Sequence, residues 1–300
     1  MKKMLLIINP KSGKKSSKAG LLEILDRFTK AGYRIEVCIT QCGGDATRIV
    51  RSYGAEFDLV VCQGGDGTLN ETASGLMMLE KKPLLGYLPA GSTNDFAVSH
   101  QIPLETEQAV EVVCTGNPFA FDVGSFNDRY FTYIAGFGAF TDVSYTTPRD
   151  TKALLGHMAY LLESVQKIPE LHPYSVTIEI NGNVYEKELM LCLVSNSLRI
   201  AGFDRPKGMD VSLDDGQFEI LMVEYTQNLK ELTEAVNGLL NPKFKTDLIT
   251  RCTASELKII SQQPICWTLD GEYGGMTNSA VLINHQRALQ VIHPAEESEE

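Results

Sequence analysis

The chain has 300 residues, enough for one large domain or two ordinary ones, and its 43% hydrophobic and 22% charged residues are typical of a globular fold. Its formal net charge of −11 disfavours nucleic acid as a partner, and also broad adhesion to anionic membranes. No apolar run approaches the roughly 20 residues that a membrane-spanning helix needs. The 7 scattered cysteines form no C-x-x-C pair, so we expect a reducing cytoplasm without disulfides or structural zinc.

The first third of the sequence alternates short apolar runs with helical patterns. The runs predict strands at 4–8, 35–39, 59–62 and 84–88, and the helical patterns lie near 18–31, 46–53 and 69–79. Apolar strands separated by helices predict a parallel sheet that is covered on both faces. Ligands of such sheets bind at the carboxyl ends of the strands, so we expect a functional site in the loops that follow them.

Beyond about residue 120 the pattern changes to closely spaced strands. They are predicted near 129–135, 174–180, 184–196, 217–225, 255–260, 265–269, 279–284 and 288–293, with helices near 151–167 and 228–239. Asn181-Gly182 is a strong hairpin signal between two of these strands. The sequence therefore predicts an α/β domain at 1–125, a β-rich, sandwich-like domain at 126–294 and a disordered acidic tail at 295–300. It leaves open whether the last strands return to the first domain.

The clearest motif is Gly64-Gly65-Asp66-Gly67-Thr68, between the strand at 59–62 and a helical pattern. Glycines let the backbone approach a phosphate closely, and a helix N-terminus offers free N–H groups to an anion. Because a carboxylate repels phosphate, Asp66 implies either a bridging Mg²⁺ or a role in proton transfer. The alternative is a tight turn with an N-capping aspartate. The sequence has neither a Walker A motif nor a dinucleotide fingerprint.

A second motif, residues 88–96 with the sequence L-P-A-G-S-T-N-D-F, follows the next predicted strand. Pro89 and Gly91 shape a loop, Thr93 supplies a hydroxyl, and Asp95 either serves an active site or caps a short helix. The glycine motif alone resembles a loop shared by NAD kinases, phosphofructokinases and lipid kinases. Together the two motifs resemble the hallmarks of diacylglycerol kinase catalytic domains.

Further segments extend this resemblance over nearly the whole chain, and the soluble bacterial YegS/BmrU-type lipid kinases are similar in length and layout. These segments are Asn9-Pro10-Lys11-Ser12-Gly13, Thr40 with Gly43-Gly44-Asp45-Ala46, Phe121-Asp122-Val123-Gly124 and Leu269-Asp270-Gly271-Glu272. Taken without the resemblance, an Asp-Gly pair at a strand end is more often a turn than a catalytic feature.

The resemblance implies an ATP- and Mg²⁺-dependent lipid kinase whose cleft lies between the two domains. Glu272 would be the general base, Asp66 and Asp122 would organise magnesium, and Asp95 and Asp270 would support them. The residues that it assigns to the nucleotide are Asn9, Thr40, Gly64, Gly65, Asp66, Gly67, Thr68, Leu69, Asn70 and Thr93.

A structural magnesium site is also implied by the resemblance. In the family a similar D-D-G segment holds the metal, which here assigns the carboxylate of Asp215 and the carbonyl groups of Ser212 and Gln217. The alternative is an ordinary Asp-Gly turn before the strand at 217–225.

The expected acceptor is a membrane lipid hydroxyl, with diacylglycerol, which would give phosphatidic acid, as the leading candidate. Such an enzyme would be cytoplasmic and would touch the membrane transiently during turnover. The alternatives are an NAD kinase-like phosphotransferase and a catalytically silent lipid-binding regulator on the same fold. The oligomeric state stays open, a homodimer included.

Overall fold

The structure is a computed structural model that describes residues 1–12, 18–138, 172–200, 203–204, 211–240 and 244–295. The helix expected near 151–167 and the acidic tail from 296 onwards lie outside these residues. The chain forms two compact units, Met1–Val123 with Gln286–Glu300, and Gly124–His285.

The first unit alternates strands and helices, as the hydrophobic pattern predicts. Its elements are β1 (Lys2–Ile8), α1 (Lys18–Lys30), β2 (Tyr33–Ile39), α2 (Asp45–Tyr53), a 3₁₀ turn (Gly54–Glu56), β3 (Leu59–Gly64), α3 (Asp66–Met77), β4 (Leu84–Pro89), α4 (Asp95–Ser99), α5 (Thr106–Thr115) and the start of β5 (Asn117–Phe126).

The strands of this unit form the expected parallel sheet, in the order β2-β1-β3-β4. Ile8 pairs with Ile39 on one side and with Gln63 on the other, and Gly64 pairs with Pro89. The last strand of the chain, β15 (Glu272–His293), adds to the sheet through Val291, which pairs in parallel with Leu85. β1 from Met4 to Ile8 is buried throughout, which is why its sequence is a continuous apolar run.

The second unit is built mainly from antiparallel strands. Its remaining elements are β6 (Arg129–Phe131), β7 (Ile134–Gly138), β8 (Tyr174–Ile180), β9 (Asn183–Ser195), β10 (Arg199–Ile200), β11 (Phe203–Asp204), β12 (Phe218–Glu224), α6 (Leu229–Leu240), β13 (Ile249–Ala254) and β14 (Glu256–Leu269). Asn181 and Gly182 have φ values of 51° and 74°, so the predicted hairpin turn between β8 and β9 is present.

β9 and β14 organise the second unit. β9 pairs with β7, β8 and β12, and β14 pairs with β7, β8 and β15. The core between these strands holds Trp267, Phe131, Phe137 and Phe218. The sequence predicted strands at 255–260 and 265–269 where the structure has the single strand β14. A register shift between Ile260 and Ile265 interrupts the alternation of buried residues there, which explains the error.

Candidate active site

The loops after β1, β2, β3 and β4 lie side by side at the carboxyl edge of the parallel sheet. The amide of Thr40 donates to the carbonyl of Ile8 at 2.9 Å, and the amide of Asn9 donates to the carbonyl of Gln63 at 2.9 Å. The amide of Ala90 donates to the carbonyl of Gly64 at 2.7 Å. The sheet therefore brings together loops that are far apart in the sequence, as the strand pattern predicts.

The glycine loop and the loop after β4 touch backbone to backbone. A Cβ atom on Gly65 would lie 3.1 Å from the Cα of Gly91, and one on Gly91 would lie 2.7 Å from the Cα of Gly65. The Nδ2 of Asn9 donates to the Oγ1 of Thr68 at 2.9 Å, which ties the first loop to the same place. The glycines thus serve loop packing, in addition to the phosphate approach that the motif suggested.

Asp66 is the first residue of α3, whose N-cap is Gly65, so Asp66 does not cap its own helix. Its Oδ1 instead accepts the amide of Phe96 at 3.3 Å, in the first turn of α4. Asp95 is the first residue of that short helix and is 1% exposed. Asp66 and Asp95 are therefore both placed where the two loops meet.

Asn94 fixes the shape of the loop after β4. It has a left-handed backbone with φ 54°, and its Oδ1 accepts the amide of Gly91 at 2.8 Å and the hydroxyl of Tyr87 at 3.4 Å. Its neighbour Thr93 is exposed, so its hydroxyl is accessible to a ligand.

Asp122 is fully buried in β5, and its Oδ1 accepts the amide of Arg287 at 2.7 Å. Arg287 lies in β15 and has a left-handed backbone, with φ 50°. Phe121 packs edge-on against Phe96 with ring centroids 5.3 Å apart, so β5 lies close to α4.

The loop that carries Thr40 is held by two carboxylates. Asp45 accepts the amide of Gln41 at 2.7 Å, and a hydrogen bond from Arg48 is the main reason why its pKa is lowered to about 2. Glu71 of α3 accepts the amide of Gly44 at 2.7 Å and that of Ala46 at 3.2 Å. The amides of Gln41, Gly44 and Ala46 are thus already used within the protein.

Glu71 was not found by sequence reasoning. It lies next to the predicted nucleotide residues, but its partners lie 25 to 27 residues earlier in the chain.

The resemblance assigns Leu69 and Asn70 to the nucleotide. Leu69 is fully buried and its amide donates to the carbonyl of Gly65 at 3.0 Å inside α3, whereas Asn70 and Gly67 are half-buried.

In the second unit, Asp270 and Gly271 form the turn between β14 and β15, with φ values of 47° and 78°. Positive φ at both positions is the signature of a type I′ hairpin turn. Asp270 is buried, and burial raises the pKa of its carboxyl, opposed by hydrogen bonds from the amides of Ile134, Thr132 and Tyr133. Glu272 is the first residue of β15 and is exposed.

The Asp214-Asp215-Gly216 segment forms a turn before β12, in which Gly216 has φ 77°. The Oδ1 of the exposed Asp215 accepts the amide of Gln217 at 2.9 Å, and the Oγ of Ser212 donates to Asp214 at 2.8 Å. Carboxylate and carbonyl oxygens on one turn fit magnesium chemistry. The structural magnesium site on Ser212, Asp215 and Gln217 stays a prediction.

The described part of the chain contains no group of three or more His, Cys, Asp or Glu side chains that could hold a metal ion. Mg²⁺ in kinases is usually held by one or two carboxylates together with substrate phosphates and waters. The carboxylate of the partly exposed Asp66 is suited to a magnesium that the nucleotide would complete. The magnesium roles of Asp66 and of the fully buried Asp122 stay predictions.

Comparison with known proteins decides the family. Residues 3–126 match the family described as "Diacylglycerol kinase catalytic domain", and residues 135–293 match "YegS C-terminal NAD kinase beta sandwich-like domain". The diacylglycerol kinase of Bacillus subtilis (strain 168) is 35% identical over 302 residues, which cover 100% of this chain and 99% of that protein. The chain belongs to the diacylglycerol kinase family. It is a kinase that phosphorylates a lipid hydroxyl, and ATP use follows from the family.

Other similar proteins agree with this kinase assignment. A diacylglycerol kinase of Staphylococcus epidermidis (strain ATCC 12228) is 33% identical over 295 residues, covering 98% of this chain and 92% of that protein. The crystal structure of a diacylglycerol kinase from Bacillus anthracis str. Sterne aligns with a TM-score of 0.79 at 25% identity, covering 97% of each chain. The resemblance and the two-part fold predicted from the sequence are confirmed. Among the described residues, no helix is long and apolar enough to cross a membrane.

Proposed function

We propose that this kinase transfers the γ-phosphate of ATP to the hydroxyl of diacylglycerol in a Mg²⁺-dependent reaction that gives phosphatidic acid. The observation that carries the proposal is the backbone contact between Gly65 and Gly91, because it joins the glycine loop to the loop after β4. The names of the similar kinases favour diacylglycerol as the acceptor.

The first unit would bind the nucleotide. Its glycine loop and the N-terminus of α3 offer amides to the phosphates, and the hydroxyl of Thr68 is held in place by Asn9. The exposed Thr93 follows β4, the strand next to β3, and the buried Thr40 follows β2, which is separated from β3 by β1. Asp66 and Asp122 would hold magnesium, which when bound offsets the negative charge of the phosphates.

The second unit would supply the general base, Glu272. Its carboxylate is exposed, so a lipid hydroxyl can reach it and give up a proton as the phosphoryl group transfers. Phosphoryl transfer depends mainly on positioning and electrostatics, so an exposed base at the start of a strand suits the reaction. We propose that the enzyme meets its lipid by transient contact with the membrane surface.

The acceptor is tested by transfer of labelled γ-phosphate from ATP, with Mg²⁺, to a panel of lipids in mixed micelles. The panel contains diacylglycerol, phosphatidylglycerol, a polyprenol and a sphingoid base, with NAD as a control. We expect label on diacylglycerol. Label on another lipid would replace the acceptor, label on NAD alone would favour an NAD kinase-like enzyme, and lipid binding without any transfer would favour a silent regulator.

A further inference from the structure

We propose that Thr132 is a positioning residue for phosphoryl transfer, because it holds Asp270 and, through Asp270, fixes the place of Glu272. The inference rests on the proposed role of Glu272 as general base. It also gives Asp270 a different task from the magnesium support expected from the resemblance.

Each carboxylate oxygen of Asp270 accepts two hydrogen bonds. Its Oδ2 accepts the amide of Thr132 at 2.7 Å and the hydroxyl of Thr132 at 2.8 Å. Its Oδ1 accepts the amides of Tyr133 and Ile134, each at 3.0 Å. Thr132 is 3% exposed and Asp270 is 5% exposed, so water cannot replace these donors. Both carboxylate oxygens are thus engaged inside the second unit, which leaves the carboxylate poorly suited to bind a metal.

The same contacts fix the backbone of the turn. The amide of Asp270 donates to the carbonyl of Ile134 at 2.8 Å, so Asp270 is held at both its main chain and its side chain. Leu269, directly before it, pairs with Ala135 of β7 and with Glu272 of β15. Glu272 therefore begins its strand from a turn that cannot shift without breaking contacts to residues 132–135.

The hydroxyl of Thr132 is the part of this support that a side-chain substitution can remove. Valine has nearly the same shape and keeps the amide donor, but it leaves Oδ2 of Asp270 with one donor fewer. A displacement of about 1 Å at a reacting group can lower a rate about 100-fold. We expect Thr132→Val to lower kcat by roughly 10- to 100-fold, with KM for ATP unchanged because the nucleotide loops belong to the first unit.

Two controls separate positioning from general stability. Thr132→Ser keeps the hydroxyl and should restore most of kcat. Thr226→Val removes a matched interaction, because the buried Thr226 donates its hydroxyl to Glu231 at 2.6 Å in the same unit. Thr226→Val should lower the melting temperature but keep kcat. Loss of turnover in Thr226→Val equal to that in Thr132→Val would overturn the proposal.

A double-substitution cycle with Glu272→Gln tests whether Thr132 acts through Glu272. If it does, Thr132→Val should not lower the residual rate of Glu272→Gln any further, since residues that act as a unit are non-additive. Independent, multiplicative losses would overturn the proposal. Thr132→Ala is a second way to remove the hydroxyl if the valine variant does not fold.

The outcomes also separate this inference from the proposed function. If Glu272→Gln keeps wild-type turnover, the role of Glu272 as base fails, whatever Thr132 does. If Glu272→Gln loses turnover while folded Thr132→Val keeps the wild-type kcat, the base stands and only the positioning role is overturned.

Discussion

At the scale of single residues, the contact between Gly65 and Gly91 sets the shape of the nucleotide loops. The Cα of each glycine lies where the Cβ of the other would need space, and the Oδ1 of Asn94 lies 2.7 Å from a Cβ built on Gly91. The neighbours at Gly91 are a backbone atom and an anchored side chain, neither of which can move aside cheaply. An added methyl group must therefore push the two loops apart.

We expect Gly91→Ala to weaken ATP binding by roughly ten-fold or more and to lower the melting temperature, because it separates the loops that would hold the phosphates. Gly43→Ala is the matched control. Gly43 lies in the loop after β2 without a positive φ, and the nearest atom to its added Cβ is 3.9 Å away. Isothermal titration with ATP and thermal unfolding measure both effects. Equal behaviour of the two variants would refute the steric argument.

At this scale, the positions of several proposed site residues in the first unit could be predicted from the sequence. Asn9 and Asp66 lie just after strands of the parallel sheet and Asp95 begins α4, because strand ends and glycine loops leave a local signal. Their roles stay predictions. Glu71 and Thr132 have no such local signal in the sequence. Each acts on a partner that is distant in the chain, and a helical glutamate or a buried threonine has many structural uses.

At the scale of elements, a histidine pair ties α4 to β15. The Nδ1 of His100 lies 2.8 Å from the Nε2 of His293. His100 stacks on Phe96 with ring centroids 4.0 Å apart, and His293 stacks on Phe119 at 4.3 Å. Burial lowers the pKa of His293 to about 4 and lowers that of His100 well below its usual 6.5. Both rings are therefore neutral at pH 7 and can share a hydrogen bond.

From this histidine pair we predict how the free energy of unfolding depends on pH. The unfolded histidines bind protons below pH 6.5, whereas folded His293 does so only near pH 4. Their contribution to stability is therefore fully present above pH 6.5 and is lost as the pH falls from 6.5 towards about 4. We expect His293→Gln to flatten the fall in unfolding free energy across this window. Chemical denaturation at several pH values measures this, and identical slopes in the wild type and in His293→Gln would contradict it.

Some helices and strands could be predicted from the sequence more accurately than others. Long periodic segments such as α1 and the strands of the parallel sheet agree closely with the sequence pattern. The sequence pattern predicts separate strands at 279–284 and 288–293 where the structure has the single strand β15, and the left-handed backbone of Arg287, with φ 50°, lies in the gap between them. β13 carries mixed polar and apolar residues that are half-buried, so it lacked the alternation that identifies a strand.

At the scale of the whole molecule, the chain divides its expected tasks between two units. The first unit holds the loops proposed for ATP, and the second holds Glu272, which directly follows the hairpin turn whose Asp270 is bonded by Thr132. A net charge of −11 makes strong attraction to an anionic membrane unfavourable. This charge is consistent with the transient membrane contact that we propose for the enzyme.

The general-base role of Glu272 is tested by comparing the wild-type chain with Glu272→Gln in transfer of labelled γ-phosphate from ATP to diacylglycerol, with Mg²⁺ and with EDTA. We expect labelled phosphatidic acid from the wild type with Mg²⁺ only. Glu272→Gln should bind ATP normally but lose roughly 100-fold or more of the transfer rate, as expected for the loss of a general base. Equal transfer by both proteins, or transfer by the wild type in EDTA, would contradict it.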